Sequence, residues 1–187
     1  MRGFICSFVC SLLLAPLKTQ LQVHAPTVKA GEAITAAVTF TMPPHWHIYW
    51  QNPGDSGIPT SLSWTLPEGL TAGEIAWPAP ERIDTEGLIN YGYSNEVTLL
   101  VPLTPTKDGV TGDVKVKATW LICKEICIPE SAELSAPLRA NEAVIALEAA
   151  TRAQIPTTFA GSAAFTADKH AATLTLTQDE PWAKVKD

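Results

Sequence analysis

Apolar and polar residues alternate along much of the chain, which is the pattern of β-strands with one buried face. The clearest run carries Ile34, Ala36, Val38 and Phe40 at every second position. The same alternation predicts strands near residues 46–50, 62–66, 97–103, 114–120 and 132–138, with a shorter one at 74–77. About seven short strands separated by turns predict an all-β fold, an immunoglobulin-like antiparallel β-sandwich, with a β-barrel as the nearest alternative.

The pattern changes at two places. Residues 78–95 are rich in Pro, Gly and Asn and predict a long loop with little strand, a kind of segment that is often functional. Residues 141–153 predict a helix that is capped by Asn141, has Val144, Ile145 and Leu147 near one face, and ends before Pro156. We therefore expect a β-sandwich at 26–140 with a short helical C-terminal extension, which forms a linker at 141–158.

Alternation returns at residues 171–177, but no second strand is evident beside them. A lone strand near the end of the chain suggests the start of a second β module at 159–187 that is cut short.

The N-terminus has the features of an export signal. Arg2 precedes an apolar stretch at 3–16, and Val23-His24-Ala25 has the small-residue pattern of a cleavage site. We therefore predict a signal peptide at 1–25, with a buried N-terminal helix as the alternative. Cleavage there would remove Cys6 and Cys10 and leave Cys123 and Cys127, and two cysteines in an exported chain are expected to pair.

Composition excludes some classes of protein. The 187 residues carry 13 Lys and Arg against 19 Asp and Glu, a net charge of −6, and no basic patch is visible. A nucleic-acid partner would favour such a patch, so we expect none. No apolar run reaches the length of about 18 residues that a membrane-spanning helix needs.

The Cys-x3-Cys spacing limits the local structure. In an extended strand the Cα atoms of Cys123 and Cys127 would lie about 13 Å apart, too far for a disulfide, so the chain must bend or form a helical turn between them. A bridge that closes so short a loop stabilises a fold by only about 2 kcal/mol, against 4 or more for long loops. This favours a redox-active pair. A structural disulfide and a metal site remain as alternatives.

The residues that follow Cys127 argue against a metal site. Cys-x-Glu-x-Cys is similar to the copper loop of cupredoxin-type oxidase subunits, but that loop needs a His and a Met just after the second Cys, and residues 128–131 contain neither. His170 and the group Met42, His45 and His47 offer other soft or borderline ligands. We interpret that group as structural or surface residues, with both histidines on one face of a strand, and expect neither a metal nor a cofactor.

Several motifs occur in the order found in one known family. They are Pro-Pro-His-Trp-His-Ile-Tyr-Trp-Gln-Asn-Pro-Gly-Asp-Ser-Gly at 43–57, Trp-Pro-Ala-Pro-Glu-Arg at 77–82, Asn-Tyr-Gly-Tyr at 90–93 and Trp-Leu-Ile-Cys-Lys-Glu-Ile-Cys-Ile-Pro-Glu at 120–130. Over residues 28–138 the chain resembles the N-terminal domains of DsbD-type thiol:disulfide interchange proteins, especially the ScsB-like branch. The best-known members have five residues between the cysteines, whereas this chain has three.

The resemblance implies a function and a site. A membrane-embedded electron-transfer domain, in the same or another chain, would reduce the cysteine pair, which would then reduce periplasmic thiol proteins. Cys123 and Cys127 would be catalytic, with Cys127 as the sulfur that contacts partners. Leu88, Asn90, Tyr91 and Tyr93 would belong to a cap over them.

The chain is therefore expected to be a periplasmic protein-disulfide reductase, tethered to a membrane if a longer chain follows. Asp84, Glu86 or Glu125 could accept protons. The alternatives are a partner-binding sandwich with a structural disulfide and a copper-binding protein that serves in copper tolerance.

Overall fold

The computed structural model describes residues 17–158, 160–169 and 171–178. The chain divides into two compact units, with the boundary between Ile155 and Pro156. Within the described residues, no helix is long and apolar enough to cross a membrane.

The first unit contains two antiparallel sheets. Its elements are β1 (Lys18–His24), β2 (Ile34–Thr41), β3 (His47–Gly54), β4 (Ser61–Thr65), β5 (Leu70–Ala72), β6 (Glu81–Thr85), β7 (Leu88–Ser94), β8 (Glu96–Pro105), β9 (Asp113–Cys123), β10 (Cys127–Pro137) and the helix α1 (Ala143–Arg152). One sheet has the order β1-β2-β8-β5, and the other has the order β10-β9-β3-β7-β6, with β4 also paired to β9.

The core lies between the two sheets. Val38, Phe40 and Leu99 of the first sheet share one buried cluster with Ile48 and Val116 of the second. These residues come from the alternating runs of the sequence, whose apolar side chains all point to the same face of a strand. The predicted all-β sandwich is confirmed.

The helix covers the outer face of the first sheet. Val144 is fully buried against Ala37 and Leu100, and the Thr35 hydroxyl donates a 2.9 Å hydrogen bond to Glu148. Because α1 covers it, β2 is buried on both faces, and the helix is part of this unit. Two details of the prediction were wrong. The N-cap position is Glu142 instead of Asn141, and Ile145 is 52% exposed.

The strand β1 lies within the predicted signal peptide. It pairs with β2 along its whole length, from Lys18 opposite Thr41 to His24 opposite Thr35. Leu21 and Val23 are buried in the core between the sheets. A cut after Ala25 would therefore remove a core strand. Residues 1–16, with Cys6 and Cys10, lie outside the described residues.

The loop predicted at 78–95 is mostly a β-hairpin, so that prediction was wrong. The strands β6 and β7 pair from Glu81 opposite Gly92 to Thr85 opposite Leu88, and the turn at Glu86 and Gly87 has positive φ angles. Asn90 and Gly92 are buried on the face of β7 opposite to the core, so the hydrophobic alternation is weak. The strand expected at 74–77 is also displaced: β5 lies at 70–72, and Ala76 makes only an isolated bridge to Leu100.

The second unit contains a hairpin. Its strands β11 (Gly161–Ala167) and β12 (Ala172–Gln178) pair along their full length. The strand predicted at 171–177 therefore has a partner, and the expectation of a lone strand was wrong. The run 161–167 consists mostly of small residues, which give little periodic signal.

Candidate functional site

The two cysteines lie at the end of a hairpin. Cys123 is the last residue of β9 and Cys127 the first of β10, and they are register partners joined by a disulfide, with Cα atoms 4.2 Å apart. The Lys124 N–H donates a 3.1 Å hydrogen bond to the Ile126 carbonyl within the connecting loop. The chain thus bends between the cysteines, as their spacing requires. The bend is a tight hairpin loop.

The environments of the two cysteines differ. Cys123 is 2% exposed, whereas Cys127 is exposed to solvent. The neighbouring Ile126 is 62% exposed. A partner from solution can therefore reach Cys127, while Cys123 lies behind it.

A tyrosine hydroxyl lies at the disulfide. The Tyr49 hydroxyl donates a 3.2 Å hydrogen bond to Cys123 Sγ and lies 3.8 Å from Cys127 Sγ. Tyr49 lies on β3, which pairs with β9 where His47 opposes Cys123. Sequence reasoning missed Tyr49 as a site residue. Its position within the 43–57 motif, two residues after His47, was the available signal.

The segment after β3 holds this tyrosine in place. Gly57 has a φ of 100°, and a Cβ at this position would overlap with the Tyr49 ring. The Thr60 hydroxyl donates a 3.3 Å hydrogen bond to the Tyr49 carbonyl. Burial raises the pKa of the Tyr49 hydroxyl, and a hydrogen bond with the Ser56 side chain offsets part of this rise. The hydroxyl therefore stays protonated at neutral pH and remains a donor.

Asn90 is connected to the same group of residues. Its Oδ1 atom accepts hydrogen bonds from the backbone N–H and the hydroxyl of Ser56, both at 3.0 Å. The side chain of Asn90 is 2% exposed. Asn90 therefore holds Ser56, which contacts Tyr49, which in turn contacts Cys123.

The other predicted cap residues lie elsewhere on the hairpin of β6 and β7. Leu88 is 48% exposed at its tip. The Tyr91 ring lies 6.5 Å from the ring of Trp50, and the buried Tyr93 hydroxyl donates a 2.8 Å hydrogen bond to the Pro78 carbonyl. Tyr93 opposes Ile48, so by strand alternation it lies on the core face, opposite to the face of Tyr49 and Cys123.

His47 lies next to the disulfide. It is the register partner of Cys123, is 6% exposed, and has a buried Nε2 atom without a hydrogen-bond partner. Its ring makes an edge-to-face contact with the ring of Tyr49, at 5.2 Å between centroids. Burial lowers the pKa of His47, while the charge of Glu81 raises it by less.

The other residues considered as ligands are placed differently. His45 is exposed in a turn before β3 with a φ of 69°, so the expectation that it shares a strand face with His47 was wrong. Met42 is buried in the core. His170 is outside the described residues. Within the described part of the chain, no group of three or more His, Cys, Asp or Glu side chains is arranged to hold a metal ion.

The three predicted proton acceptors lie in or next to the loops of the two hairpins, with Asp84 near the end of β6. Asp84 accepts a 3.1 Å hydrogen bond from the Gly87 N–H and pairs with Arg82 at 3.7 Å. Glu86 is exposed in the same turn, and Glu125 is exposed in the loop between the cysteines. Asp84 thus stabilises the tip of the hairpin.

The fold and site define a β-sandwich domain whose hairpin disulfide joins one buried and one exposed cysteine. The family model described as "Thiol:disulfide interchange protein DsbD, N-terminal" matches residues 14–139, more than half of the chain. The chain therefore belongs to this family, and the family resemblance seen in the sequence motifs is confirmed. A search of curated proteins found no match.

One solved structure shares the fold. The N-terminal periplasmic domain of ScsB from Proteus mirabilis is 22% identical, with a TM-score of 0.64. The match covers 86% of this chain, which spans 65% of the length of the ScsB domain. This similarity confirms the immunoglobulin-like fold. The reduced N-terminal domain of Neisseria meningitidis DsbD is 14% identical, with a TM-score of 0.39, over 66% of this chain and 86% of that one.

Proposed function

We propose that this chain exchanges disulfides with periplasmic thiol proteins and is itself reduced by a membrane electron-transfer domain, in the same or another chain. The observation that carries this proposal is the asymmetry of the Cys123–Cys127 bridge, with one sulfur buried beneath Tyr49 and the other exposed. An exposed, short-range bridge in a family of interchange proteins is suited to exchange. The chain would act as a protein-disulfide reductase.

The exchange proceeds in two balanced steps. In the reduced domain, the Cys127 thiolate attacks a sulfur of the partner disulfide, forming a mixed disulfide and releasing the other partner sulfur as a thiolate. Cys123 then attacks Cys127 Sγ, which restores the Cys123–Cys127 bridge and releases the second partner sulfur. The partner gains two electrons, and the domain loses two. Reduction by the donor follows the same steps in reverse.

The surface beside the exposed sulfur has room for a partner segment. A groove of about 330 Å³ runs along the β9–β10 hairpin, between the Leu121–Pro129 pair and the loop that carries Ile58. Leu121 and Pro129 lie two residues from the cysteines, on the same face of the sheet. We propose that the apolar residues next to the partner's cysteine bind in this groove.

The hairpin of β6 and β7 would restrict access to the buried side of the bridge. Asn90 would act through Ser56 and Tyr49, and Leu88 would present an apolar side chain at the hairpin tip. Tyr91 and Tyr93 would support the hairpin from the core face. The proposed cap thus consists of the hairpin together with the segment around Ser56 and Gly57.

Single cysteine substitutions test the proposal. In chains that also carry Cys6→Ser and Cys10→Ser, we expect Cys123→Ser to form a stable adduct with glutathione disulfide at Cys127. We expect Cys127→Ser, which leaves only the buried thiol, to form the adduct much more slowly. Intact-mass spectrometry of the native protein measures both adducts. Unfolding the two variants in denaturant provides the control, since both cysteines should then react at similar rates.

Two results would contradict exchange at this bridge. One is an unreactive Cys127 in the folded Cys123→Ser variant. The other is a reduction potential below about −300 mV for the wild-type bridge, which is typical of structural disulfides in secreted proteins. Either result would favour a partner-binding sandwich with a structural bridge.

A further inference from the structure

His47 is a buried titratable residue for which the exchange reaction described above has no role. It is more than nine-tenths buried, and its Nε2 atom has no hydrogen-bond partner. A buried polar atom without a partner costs free energy and calls for an explanation. Its position is informative, because His47 directly opposes Cys123 on the neighbouring strand.

The strand register places the imidazole beside Cys123 on the same face of the sheet. Side chains of directly opposed residues on antiparallel strands lie on the same face, with Cβ atoms about 4.5–5.5 Å apart. Tyr49, two residues along the same strand, is also on this face, and its ring contacts both neighbours: the His47 ring at 5.2 Å and Cys123 Sγ through the hydroxyl at 3.2 Å. The three side chains form one contiguous group.

The second exchange step needs a proton acceptor at this place. Cys123 must become a thiolate before it can attack Cys127, but burial disfavours the charged form of a thiol. Tyr49 donates a hydrogen bond and can stabilise the thiolate once it is formed. A protonated phenol cannot accept the thiol proton and remain neutral, so a different group must accept it.

The surroundings of His47 leave it suited to this task. On β9 its neighbour is Cys123, on β7 it is the uncharged Ser94, and on its own strand it is Tyr49. The charged group that acts on it is Glu81 of β6, whose effect is smaller than that of burial. The net effect lowers the pKa of His47, so the imidazole is neutral at pH 7 and can accept a proton.

We propose that His47 is the general base that deprotonates Cys123 during the resolving step. The Cys123 thiol proton passes to Nε2, the resulting thiolate attacks Cys127 Sγ, and the partner sulfur leaves as a thiolate. The imidazolium then returns the proton to the leaving thiolate or to water, so no further reactant is needed. This proposal rests on the proposed function and assigns a residue to one of its two steps.

The two steps can be measured separately with 5,5′-dithiobis(2-nitrobenzoate). The pre-reduced chain, with Cys6→Ser and Cys10→Ser, releases one coloured thiolate when Cys127 attacks the reagent. It releases a second when Cys123 resolves the adduct. The first phase depends on reagent concentration and the second does not. We expect His47→Gln to slow the second phase by about 100-fold and to leave the first within about twofold.

A pH profile gives a readout that a purely structural role would not change. In the wild type, the resolving rate should fall as the pH drops below about 6.5 towards the lowered pKa of His47, because the base becomes protonated. In His47→Gln the rate should instead fall about tenfold per pH unit over the whole range, without the plateau of the wild type above about 6.5, because only the thiolate fraction of Cys123 then reacts. His45→Gln is the matched control, because this exposed histidine lies two residues earlier, and it should behave as the wild type does.

Two outcomes would overturn the role of His47. One is an equal resolving rate in His47→Gln and the wild type from pH 5 to pH 8. The other is a wild-type rate that changes about tenfold per pH unit throughout this range, without a plateau above about 6.5, which can be recorded even if His47→Gln does not fold. In either case a normal first phase would leave the proposed function intact. A missing first phase, with no adduct at Cys127, would instead contradict the proposed function.

Discussion

Tyr49 is the residue whose contact with the disulfide is most direct. Its hydroxyl lies 3.2 Å from Cys123 Sγ, and burial keeps this hydroxyl protonated. A hydrogen bond to a charged group contributes about 1.5–3 kcal/mol, which is more than the same bond contributes to a neutral sulfur. Tyr49 therefore stabilises the reduced state more than the oxidised state whenever Cys123 is a thiolate.

This difference predicts the effect of Tyr49→Phe. At a pH high enough to ionise Cys123 in the reduced state, loss of the hydroxyl should make the reduction potential more negative by roughly 30 mV, equivalent to about 1.4 kcal/mol for two electrons. Equilibration with glutathione buffers measures the shift. Tyr91→Phe is the control, since its ring packs on Trp50, and its potential should stay unchanged. A potential for Tyr49→Phe equal to that of the wild type would show that the hydroxyl does not distinguish the two redox states.

Gly57 allows the Tyr49 ring to occupy its position. We expect Gly57→Ala to destabilise the fold by roughly 2–4 kcal/mol, from the strain of a positive φ together with overlap between the new Cβ and the ring. Gly87→Ala is a matched control, because Gly87 also has a positive φ but no atom lies within 4 Å of the added Cβ. It should cost only about 1 kcal/mol. Urea unfolding measures both, and equal losses would contradict the packing argument.

At the scale of elements, the hairpin of β9 and β10 brings the two cysteines of the bridge opposite each other. The strand alternation of residues 114–120 predicted β9 correctly, and the cysteine spacing correctly required a bend. Neither the alternation nor the spacing indicated that β10 begins at Cys127 itself. Cys127, Pro129 and Ser131 are exposed, so this part of the strand has no hydrophobic pattern. The pairing with β9 defines this strand.

The strand β1 provides a test at the same scale. A chain that starts at residue 26 should be destabilised by several kcal/mol relative to one that starts at residue 17. It loses the buried side chains of Leu21 and Val23, each worth about 1.5–3 kcal/mol, and exposes the edge of β2. Urea denaturation of both chains measures this difference. Equal midpoints would show that β1 is dispensable and would allow a cleavage site after Ala25.

At the scale of the whole molecule, the first unit contains a complete core and the disulfide. The core clusters of buried residues lie within residues 17–144. The helix α1 contributes Val144 to the second cluster and is continuous with the sandwich. The described part of the second unit contains a hairpin whose strand residues at 161–167 and 172–177 are exposed.

This division predicts the result of two truncations. A chain that ends at Ile155 should keep its denaturation midpoint and its disulfide chemistry. A chain that ends at Leu138 should be less stable by about 2–4 kcal/mol, because Ala37, Leu100 and the buried side of β2 lose the cover that Val144 provides. Circular dichroism in urea measures both. A large loss of stability on removing only residues 156–187 would contradict the independence of the first unit.

The sequence by itself determined the fold class, most strands of the sandwich, the pairing of Cys123 with Cys127 and the family. These depend on alternation, on local spacing and on motifs in a fixed order, all of which are local along the chain. The sequence pattern failed at the hairpin of β6 and β7, where Asn90 and Gly92 interrupt the apolar residues, and at β11, which consists mostly of small residues.

Only the tertiary structure decided the surroundings of the bridge. Tyr49 and His47 lie about 75 residues before Cys123 in the chain, and they meet it only because β3 pairs with β9. The register of β3 with β7 places Tyr91 and Tyr93 on the opposite face, although their residue types suit a cap. A shift of one residue would exchange the two faces, and that register depends on contacts between distant strands, which no local pattern records.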